Sequence, residues 1–167
     1  MRASDVIGTL VARGETVATC ESVTGGLVSG TLTDVPGASQ VLRGGLITYA
    51  TDLKTALAGV DAAVIATSGV VSAAVAAAMA QGVRRVCRAD WGIGVTGVAG
   101  PGPSDGVPAG TVWLGLAGPA GCRTQQVQVA GTRGEVRAAA VGAALTLLAD
   151  GLADTARRPV PIHGGPR

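Results

Sequence analysis

The chain has 167 residues, which is enough for one domain that buries a core of its own. Hydrophobic residues make up 47% of it, which excludes a disordered chain, and a net charge of +2 argues against a nucleic-acid partner. It has no Phe, two Trp and one Tyr, so we expect Ala, Val and Leu to fill the core.

Hydrophobic periodicity and turn residues predict helices and strands that alternate along most of the chain. The predicted strands are 16–20, 45–49, 91–96, 111–117 and a half-exposed edge strand at 123–130. The predicted helices run from Ser4 or Asp5 to Arg13, from the turn 21–26 to about 34, over 52–57, over 72–89, and from Thr132 onward, where Thr132 and Glu135 have the spacing of a capping box. This order predicts a three-layer α/β/α sandwich around a mixed or mostly parallel sheet.

The end of the chain differs in composition from the rest. From Arg157 on, Pro and Gly are frequent and no apolar pattern is left that a core would need. We therefore predict one domain over 1–156 and a disordered tail over 157–167.

The sequence gives no sign of a membrane, an export signal or a nucleic acid. The stretch 138–149 is too short to cross a bilayer, and the N-terminus lacks the apolar segment of a signal peptide. Three cysteines, far apart and without metal-ligand spacing, are typical of reduced thiols. The cluster of Arg84, Arg85 and Arg88 lies opposite apolar positions, as on a solvated helix face. We predict a cytoplasmic protein without a nucleic-acid or membrane partner. Because the chain is small and has an Ala-rich helix face, we also predict a homo-oligomer, with a dimer favoured.

Several kinds of chemistry are excluded by what the sequence lacks. The single histidine, His163, lies in the predicted tail, so neither a Ser-His-Asp triad nor an imidazole zinc site is expected. The sequence has no Gly-x-Ser-x-Gly elbow, no phosphate-binding P-loop and no Gly-x-Gly-x-x-Gly opening a helix. We expect no metal and no cofactor.

Two side chains occur once each and lie close together in the sequence. Lys54 is the only lysine beside twelve arginines, and unlike an arginine it can lose its proton when it is desolvated. Tyr49, the only tyrosine, ends the second predicted strand. The alternative is that both are remnants of a biased composition, with Lys54 on an exposed helix face and Tyr49 as packing. These two residues alone leave the choice open.

Ser22 is the candidate nucleophile. It lies between a strand and a helix, where free amides and the helix dipole favour a developing negative charge. Gly25 and Gly26 would let a substrate approach that backbone. The alternative is an ordinary helix N-cap, a role that Ser22 or Thr24 would fill. If Ser22, Lys54 and Tyr49 converge, they form a serine nucleophile with a lysine base and a tyrosine that passes or positions the proton.

Three further residues are candidates for binding. Arg133 and Arg137 lie one turn apart at the start of the last helix, where cations oppose the dipole unless an anion is bound nearby. Exposed arginines screened by water are the alternative to a phosphate site. Thr96 ends the third strand, at the sheet edge where α/β proteins usually hold ligands.

A resemblance connects these segments. Residues 19–26, Thr-Cys-Glu-Ser-Val-Thr-Gly-Gly, resemble the Ala-Glu-Ser-Cys-Thr-Gly-Gly signature of the CinA C-terminal domain family, the nicotinamide mononucleotide deamidases. The likeness continues in order through the segments 35–39, 48–54, 69–72, 95–101, 110–112 and 133–137. The sequence departs from the family at Val23, where the signature has Cys, and before Pro108, where many members carry Lys.

The resemblance implies hydrolysis of the carboxamide of nicotinamide mononucleotide to nicotinate mononucleotide and ammonia, without a metal. It implies catalytic roles for Ser22, Tyr49 and Lys54. Substrate contacts would come from Thr96 and Arg137. The other predicted substrate-binding residues are Thr24, Gly25, Gly26 and Arg133. Two alternatives stay open, which are a catalytically silent member that binds a nucleotide or a protein, and an amidase for another small amide.

Overall fold

A computed structural model describes residues 1–156, and the predicted tail with His163 lies outside the described residues. The helices are α1 (Ala3–Arg13), α2 (Leu27–Thr33), α3 (Thr51–Ala58), α4 (Ala62–Ser68), α5 (Ala73–Val86) and α6 (Arg133–Ala156), with a 3-10 turn at Ala38–Gln40. The strands are β1 (Val17–Glu21), β2 (Leu42–Ile47), β3 (Trp91–Gly97), β4 (Thr111–Gly118) and β5 (Gly121–Gln128).

The five strands form one open mixed sheet in the order β2-β1-β3-β4-β5. β1 is parallel to both β2 and β3, whereas β3 with β4 and β4 with β5 are antiparallel. The three parallel strands therefore end at the same edge, and Glu21, Ile47 and Val95 are neighbours there in the register. This edge carries the candidate site.

Helices cover both faces of the sheet, which confirms the predicted α/β/α sandwich. On one face, α1, α2 and α6 enclose the larger apolar core with residues of β1, β3 and β4. On the other face, α3 and α5 pack against Ala18 and Cys20 of β1. Val, Ala and Leu supply most of the buried side chains, as the composition predicted.

The helix α6 is long and apolar enough to cross a membrane by length and composition alone, but half of its most apolar window is buried inside the protein. Its buried side chains, including Leu145 and Leu148, belong to the larger core. Its apolar character is therefore explained by packing.

The predicted capping box at the start of α6 is present. The amide of Thr132 donates to Glu135 over 2.7 Å, and the amide of Glu135 donates back to the Thr132 hydroxyl over 3.4 Å.

Two sequence predictions about local structure are wrong. The second strand is Leu42–Ile47 and not 45–49, so Tyr49 lies beyond its end. Gly44 and Gly45 both pair with β1, and the hydroxyls of Thr19 on β1 and Ser29 on α2 occupy the space that a Cβ at Gly45 would need. The helix α4 was not predicted. It has seven residues and buries none of them fully, so its apolar stretch is too short to show the periodicity by which a helix is predicted.

Glycines on β3 and β4 allow α5 to lie directly against the sheet. A Cβ at Gly94 would clash with the Ala76 carbonyl oxygen and would come within 2.7 Å of the Ala80 amide nitrogen. These are backbone atoms of α5, which cannot move without shifting the helix. We expect Gly94→Ala to lower the free energy of unfolding by about 3 kcal/mol, measured by urea denaturation.

A matched glycine gives the control for this prediction. Gly8 lies within α1 and has nothing within 4 Å of the position of a Cβ. We expect Gly8→Ala to raise the free energy of unfolding by about 0.5 to 1 kcal/mol, because alanine loses less backbone entropy in a helix. A Gly94→Ala protein that unfolds at the wild-type urea concentration would show that α5 does not rest on this strand.

Candidate active site

Ser22 follows β1 directly, and the alternation of side chains along the strand separates it from its neighbour Glu21. The Glu21 carboxylate faces α2 and accepts hydrogen bonds from the amides of Gly26, Val28 and Ser29 over 2.8 to 3.0 Å. The Ser22 hydroxyl contacts Lys54 on α3. The alternative that Ser22 is an ordinary N-cap is therefore wrong, because Glu21 satisfies the amides that a cap would bind.

Lys54 is fully buried and lies beside Ser22. Its Nζ is 3.1 Å from the Ser22 Oγ and 2.8 Å from the Thr48 carbonyl oxygen, and its exposure is 0%. The helix α3 positions it, because Thr51 to Ala58 starts just after the edge where β2 ends. The alternative of an exposed helix position is wrong for Lys54.

Burial changes the acid–base properties of this lysine. Desolvation lowers the pKa of Lys54 below its ordinary value, and the nearby groups Cys20 and Asp52 counteract this only in part. Among the described residues, no carboxylate lies within ion-pair distance of its amine. At a given pH, a larger fraction of Lys54 is therefore neutral than of a solvated lysine, and a neutral amine can accept the proton of a hydroxyl.

The neighbouring thiol is not a competing nucleophile. Cys20 lies on β1 with its Sγ 3.5 Å from the Thr48 hydroxyl. Burial raises the pKa of Cys20 to about 11, so the thiol keeps its proton near neutral pH. Ser22 is the nucleophile candidate that this edge offers.

Tyr49 lies at the mouth of the site and not beside Ser22. Its side chain is 59% exposed, and its hydroxyl accepts a hydrogen bond of 2.7 Å from Arg133. In the described part of the chain, this hydroxyl has no hydrogen bond to Ser22 or Lys54. Arg133 also donates to the carbonyl of Gly100 over 3.2 Å, so it connects the loop after β2 with the loop after β3.

These groups line an open cleft of about 440 Å³. Its floor carries Ser22, Lys54 and Thr96, and its walls come from Val70, Val71 and the loop 97–105. Thr96 is buried and donates to the Val70 carbonyl over 3.0 Å, so it holds the segment before α5 against β3. The cleft is large enough for a small organic substrate.

The two arginines at the start of α6 occupy different places, although their spacing puts them on one helix face. Arg133 lines the cleft. Arg137 lies behind the turn after β1 and donates to the carbonyls of Val23 and Thr24 over 3.1 and 2.9 Å. Arg137 therefore holds the turn next to Ser22, and Arg133 lines the cleft. Substrate contacts by Arg133, Arg137 and Thr96 remain predictions.

The glycines after Ser22 are explained by backbone conformation. Gly25 and Gly26 have φ angles of 61° and 100°, in the left-handed region that favours glycine. The Gly25 amide donates to the Ser22 carbonyl, and the Gly26 amide donates to Glu21. Thr24 is buried, and its hydroxyl has no hydrogen-bond partner among the described residues. Substrate contacts by these three residues remain a prediction.

Two groups that shape the site were not predicted from the sequence, the Glu21 carboxylate and the Thr48 carbonyl. A signal for Glu21 was present, because an acidic residue before a helix start is a common partner of free helix amides. A backbone carbonyl such as that of Thr48 leaves no signal in the sequence.

A second open cleft, of about 500 Å³, lies at the other end of α5. Arg84, Arg85 and Arg88 line it, and the first two are in the last turn of the helix, where cations complement the dipole. Arg85 and Arg88 are exposed, which confirms the predicted solvated face for these two, whereas Arg84 is half-buried and donates to the Asp90 carbonyl over 2.9 Å. This cleft contains no side chain of the Ser22 site.

The fold and the site together define a class of protein, a small α/β/α domain with a buried serine–lysine pair at the carboxyl edge of its parallel strands. The chain belongs to the CinA C-terminal domain family, whose family model matches residues 2–152. The predicted resemblance is thereby confirmed.

Curated relatives share about half of their aligned residues with this chain. It is 50% identical over 143 residues to a CinA-like protein of Frankia casuarinae, with 86% of this chain and 33% of that protein covered. It is 47% identical over 144 residues to a CinA-like protein of an Anaeromyxobacter strain, with 86% and 35% covered. The chain thus spans about a third of the length of these relatives.

Solved structures share the fold over almost their whole length. The competence/damage inducible protein CihA of Agrobacterium tumefaciens is 36% identical, with a TM-score of 0.86 and with 90% of this chain and 93% of that chain covered. A CinA superfamily protein of Klebsiella pneumoniae is 33% identical, with a TM-score of 0.88 and with 91% and 96% covered. These similarities establish the α/β/α architecture and the family.

Proposed function

We propose that the chain is an amidohydrolase that converts nicotinamide mononucleotide to nicotinate mononucleotide and ammonia. The observation that carries this proposal is the 3.1 Å contact between the buried Lys54 amine and the Ser22 hydroxyl. A serine with a lysine base is sufficient for acyl transfer, and it needs neither a histidine nor a metal. The CinA family includes amidohydrolases, which agrees with this chemistry.

The first half of the proposed reaction transfers the acyl group to Ser22. Neutral Lys54 takes the hydroxyl proton as the Ser22 Oγ attacks the carboxamide carbon, and a C–O bond forms. The resulting tetrahedral intermediate then breaks its C–N bond. Lys54 returns the proton to the leaving nitrogen, so ammonia departs and an ester with Ser22 remains.

The second half clears the ester with water. Lys54, again neutral, takes a proton from the water as its oxygen attacks the ester carbon. The bond to Ser22 breaks, and the Ser22 oxygen recovers the proton from Lys54. The product forms as a carboxylic acid, which gives its own proton to solvent or to the released ammonia and leaves as a carboxylate. The proton balance closes on Lys54, and the cycle needs no further reagent.

We propose that the mouth of the cleft binds the phosphate of the substrate. Arg133 and the Tyr49 hydroxyl lie there together, and a guanidinium with a phenol is suited to phosphate oxygens. The proton-passing role of Tyr49 stays a prediction, because its hydroxyl contacts Arg133.

The buried lysine argues against a catalytically silent protein. Burying a charged amine with only a hydroxyl and a carbonyl as partners costs several kcal/mol, so a function is needed to explain why the chain keeps it. An apolar residue at position 54 would remove that cost. A protein that only binds a ligand at its mouth has no use for Lys54 at the floor.

The proposed substrate leads to a direct prediction. The wild-type protein is expected to release ammonia from nicotinamide mononucleotide, and kcat/KM for the riboside should be roughly 10- to 100-fold lower because the phosphate contact is missing. Free nicotinamide should be poorer still. A coupled ammonia assay with the three compounds measures this. No release from any of them would leave the silent alternative in place.

Arg133 gives the matched variant for this test. Arg133→Ala should raise KM for the mononucleotide by about 10-fold or more and leave KM for the riboside within about threefold. Arg43→Ala is the control, since Arg43 is exposed and contacts the Cys87 carbonyl away from the cleft. Equal losses on both substrates would contradict phosphate binding by Arg133.

A further inference from the structure

We propose that Glu21 is a positioning residue for Ser22, acting through a clamp that joins the end of β1 to the first turn of α2. Its carboxylate accepts four hydrogen bonds, from the amides of Gly26, Val28 and Ser29 and from the Thr19 hydroxyl. The side chain is 1% exposed, so these bonds do not compete with water.

The clamp closes a loop that contains Ser22. One end of the loop is the Glu21 backbone at the end of β1, and the other is the set of amides at 26, 28 and 29 that the same carboxylate holds. Inside the loop, the Ser22 amide donates to the Val95 carbonyl over 2.9 Å, and the Ser22 carbonyl accepts from Gly25 over 3.1 Å. The backbone of Ser22 is thus held on both sides, and its side chain caps no helix amide.

The clamp also explains why the Ser22 hydroxyl is available to Lys54. A helix start needs acceptors for its first amides, and a serine at a strand end readily supplies one. Glu21 supplies these acceptors from the opposite face of the sheet. The hydroxyl can therefore point at the amine 3.1 Å away.

The space around the clamp is closely fitted. Thr19 and Ser29 flank the carboxylate, and β2 passes them at Gly45, where a Cβ would come within 2.7 Å of the Thr19 hydroxyl oxygen. A side chain at Gly45 would push Thr19 away from Glu21. The absence of a side chain on β2 at this register position preserves the clamp.

The variant Glu21→Gln tests the clamp with almost no change in shape. Oε2 of Glu21 accepts hydrogen bonds from two amides, and Oε1 accepts from one amide and one hydroxyl. In either orientation, the NH2 group of a glutamine would therefore face a backbone N–H, and two donors cannot bond each other. We expect kcat for the substrate to fall about 10- to 100-fold with KM within about threefold, because a small displacement of a nucleophile has an effect of this size.

A chemical readout separates this inference from the proposed function. The inference rests on that function only for the substrate used in the kcat measurement. The rate at which a fluorophosphonate labels Ser22 reports nucleophile placement without the substrate. Labelling should slow about 10-fold or more in Glu21→Gln. A wild type that is labelled but releases no ammonia would refute the proposed substrate and still test Glu21.

Asp90→Asn is the matched control, because Asp90 holds the other end of β1 through the Thr16 amide and hydroxyl, each at 2.8 Å. Both variants should lower the melting temperature, and only Glu21→Gln should slow labelling and lower kcat. If both variants change labelling and kcat equally, or if neither does, the positioning role is overturned.

Thr19→Val keeps the test decisive if Glu21→Gln does not fold. It removes one hydroxyl donor to the carboxylate and keeps the branched shape of the side chain. We expect the same pattern at a smaller size, with labelling and kcat lowered about 3- to 10-fold. Thr19→Val with wild-type labelling and kcat would also overturn the inference.

Discussion

Replacing Ser22 with alanine is expected to lower kcat/KM for nicotinamide mononucleotide by about 10³-fold or more, because the reaction then has no group to form the ester. The remaining cleft would still bind substrate through its mouth. KM, or the dissociation constant measured by calorimetry, should therefore change by less than about threefold. This combination distinguishes loss of a nucleophile from loss of a binding site.

The same variant has a covalent readout. A reaction of the wild type quenched in acid should contain a fraction of protein carrying the acyl group, visible as an added mass on the peptide with Ser22. Ser22→Ala should show no such adduct. Ser39→Ala is the control, since Ser39 is an exposed serine of the 3-10 turn outside the cleft. Ammonia release by Ser22→Ala at the wild-type rate would disprove the mechanism.

The fold was largely predictable because local signals and packing agree in this chain. The capping box at Thr132 and Glu135 and the buried strand β1 each follow from a pattern that the tertiary structure reinforces. The prediction failed at the bounds of the second strand, which was expected at 45–49 and runs from Leu42 to Ile47. Pairing with β1 determines where it begins and ends, and local sequence does not encode that pairing.

The candidate site was predictable in its members and less so in its geometry. Lys54 could be singled out because it is the only lysine and can lose its proton, and Ser22 because it lies between a strand and a helix. Their 3.1 Å contact depends on how α3 packs beside β1, which no local pattern encodes. The separate places of Arg133 and Arg137 follow likewise from the loops that α6 meets, and equal spacing on a helix does not reveal that difference.

Substitution of Lys54 is expected to have the second large effect on kcat/KM, and its variants separate the role of the lysine in catalysis from its role in stability. Lys54→Met keeps much of the volume of the side chain and removes the buried amine, so we expect kcat/KM to fall about 10³-fold. We expect the free energy of unfolding at pH 7 to stay the same or rise, because desolvation disfavours the charged amine. Lys54→Arg should be equally inactive, since an arginine does not lose its proton.

The direction of the pKa shift determines how both quantities depend on pH. Because the folded pKa of Lys54 lies below the unfolded value, the unfolded chain binds more protons in the interval between the two. The stability of the wild type relative to Lys54→Met should therefore rise with pH across that interval and be lowest below the folded pKa. Urea denaturation of both proteins at a series of pH values measures the difference.

Catalysis should follow the same titration. If neutral Lys54 is the base, kcat/KM rises with pH through the folded pKa, and the midpoint lies below the ordinary lysine value of 10.5. The ascending limb should be absent from the residual activity of Lys54→Met. A limb that persists in that variant would assign the titration to another group, and unimpaired turnover would show that Ser22 does not need Lys54 as its base. Loss of both rate and limb, with stability retained, would leave proton transfer as the reason why this chain keeps an amine buried beside its nucleophile.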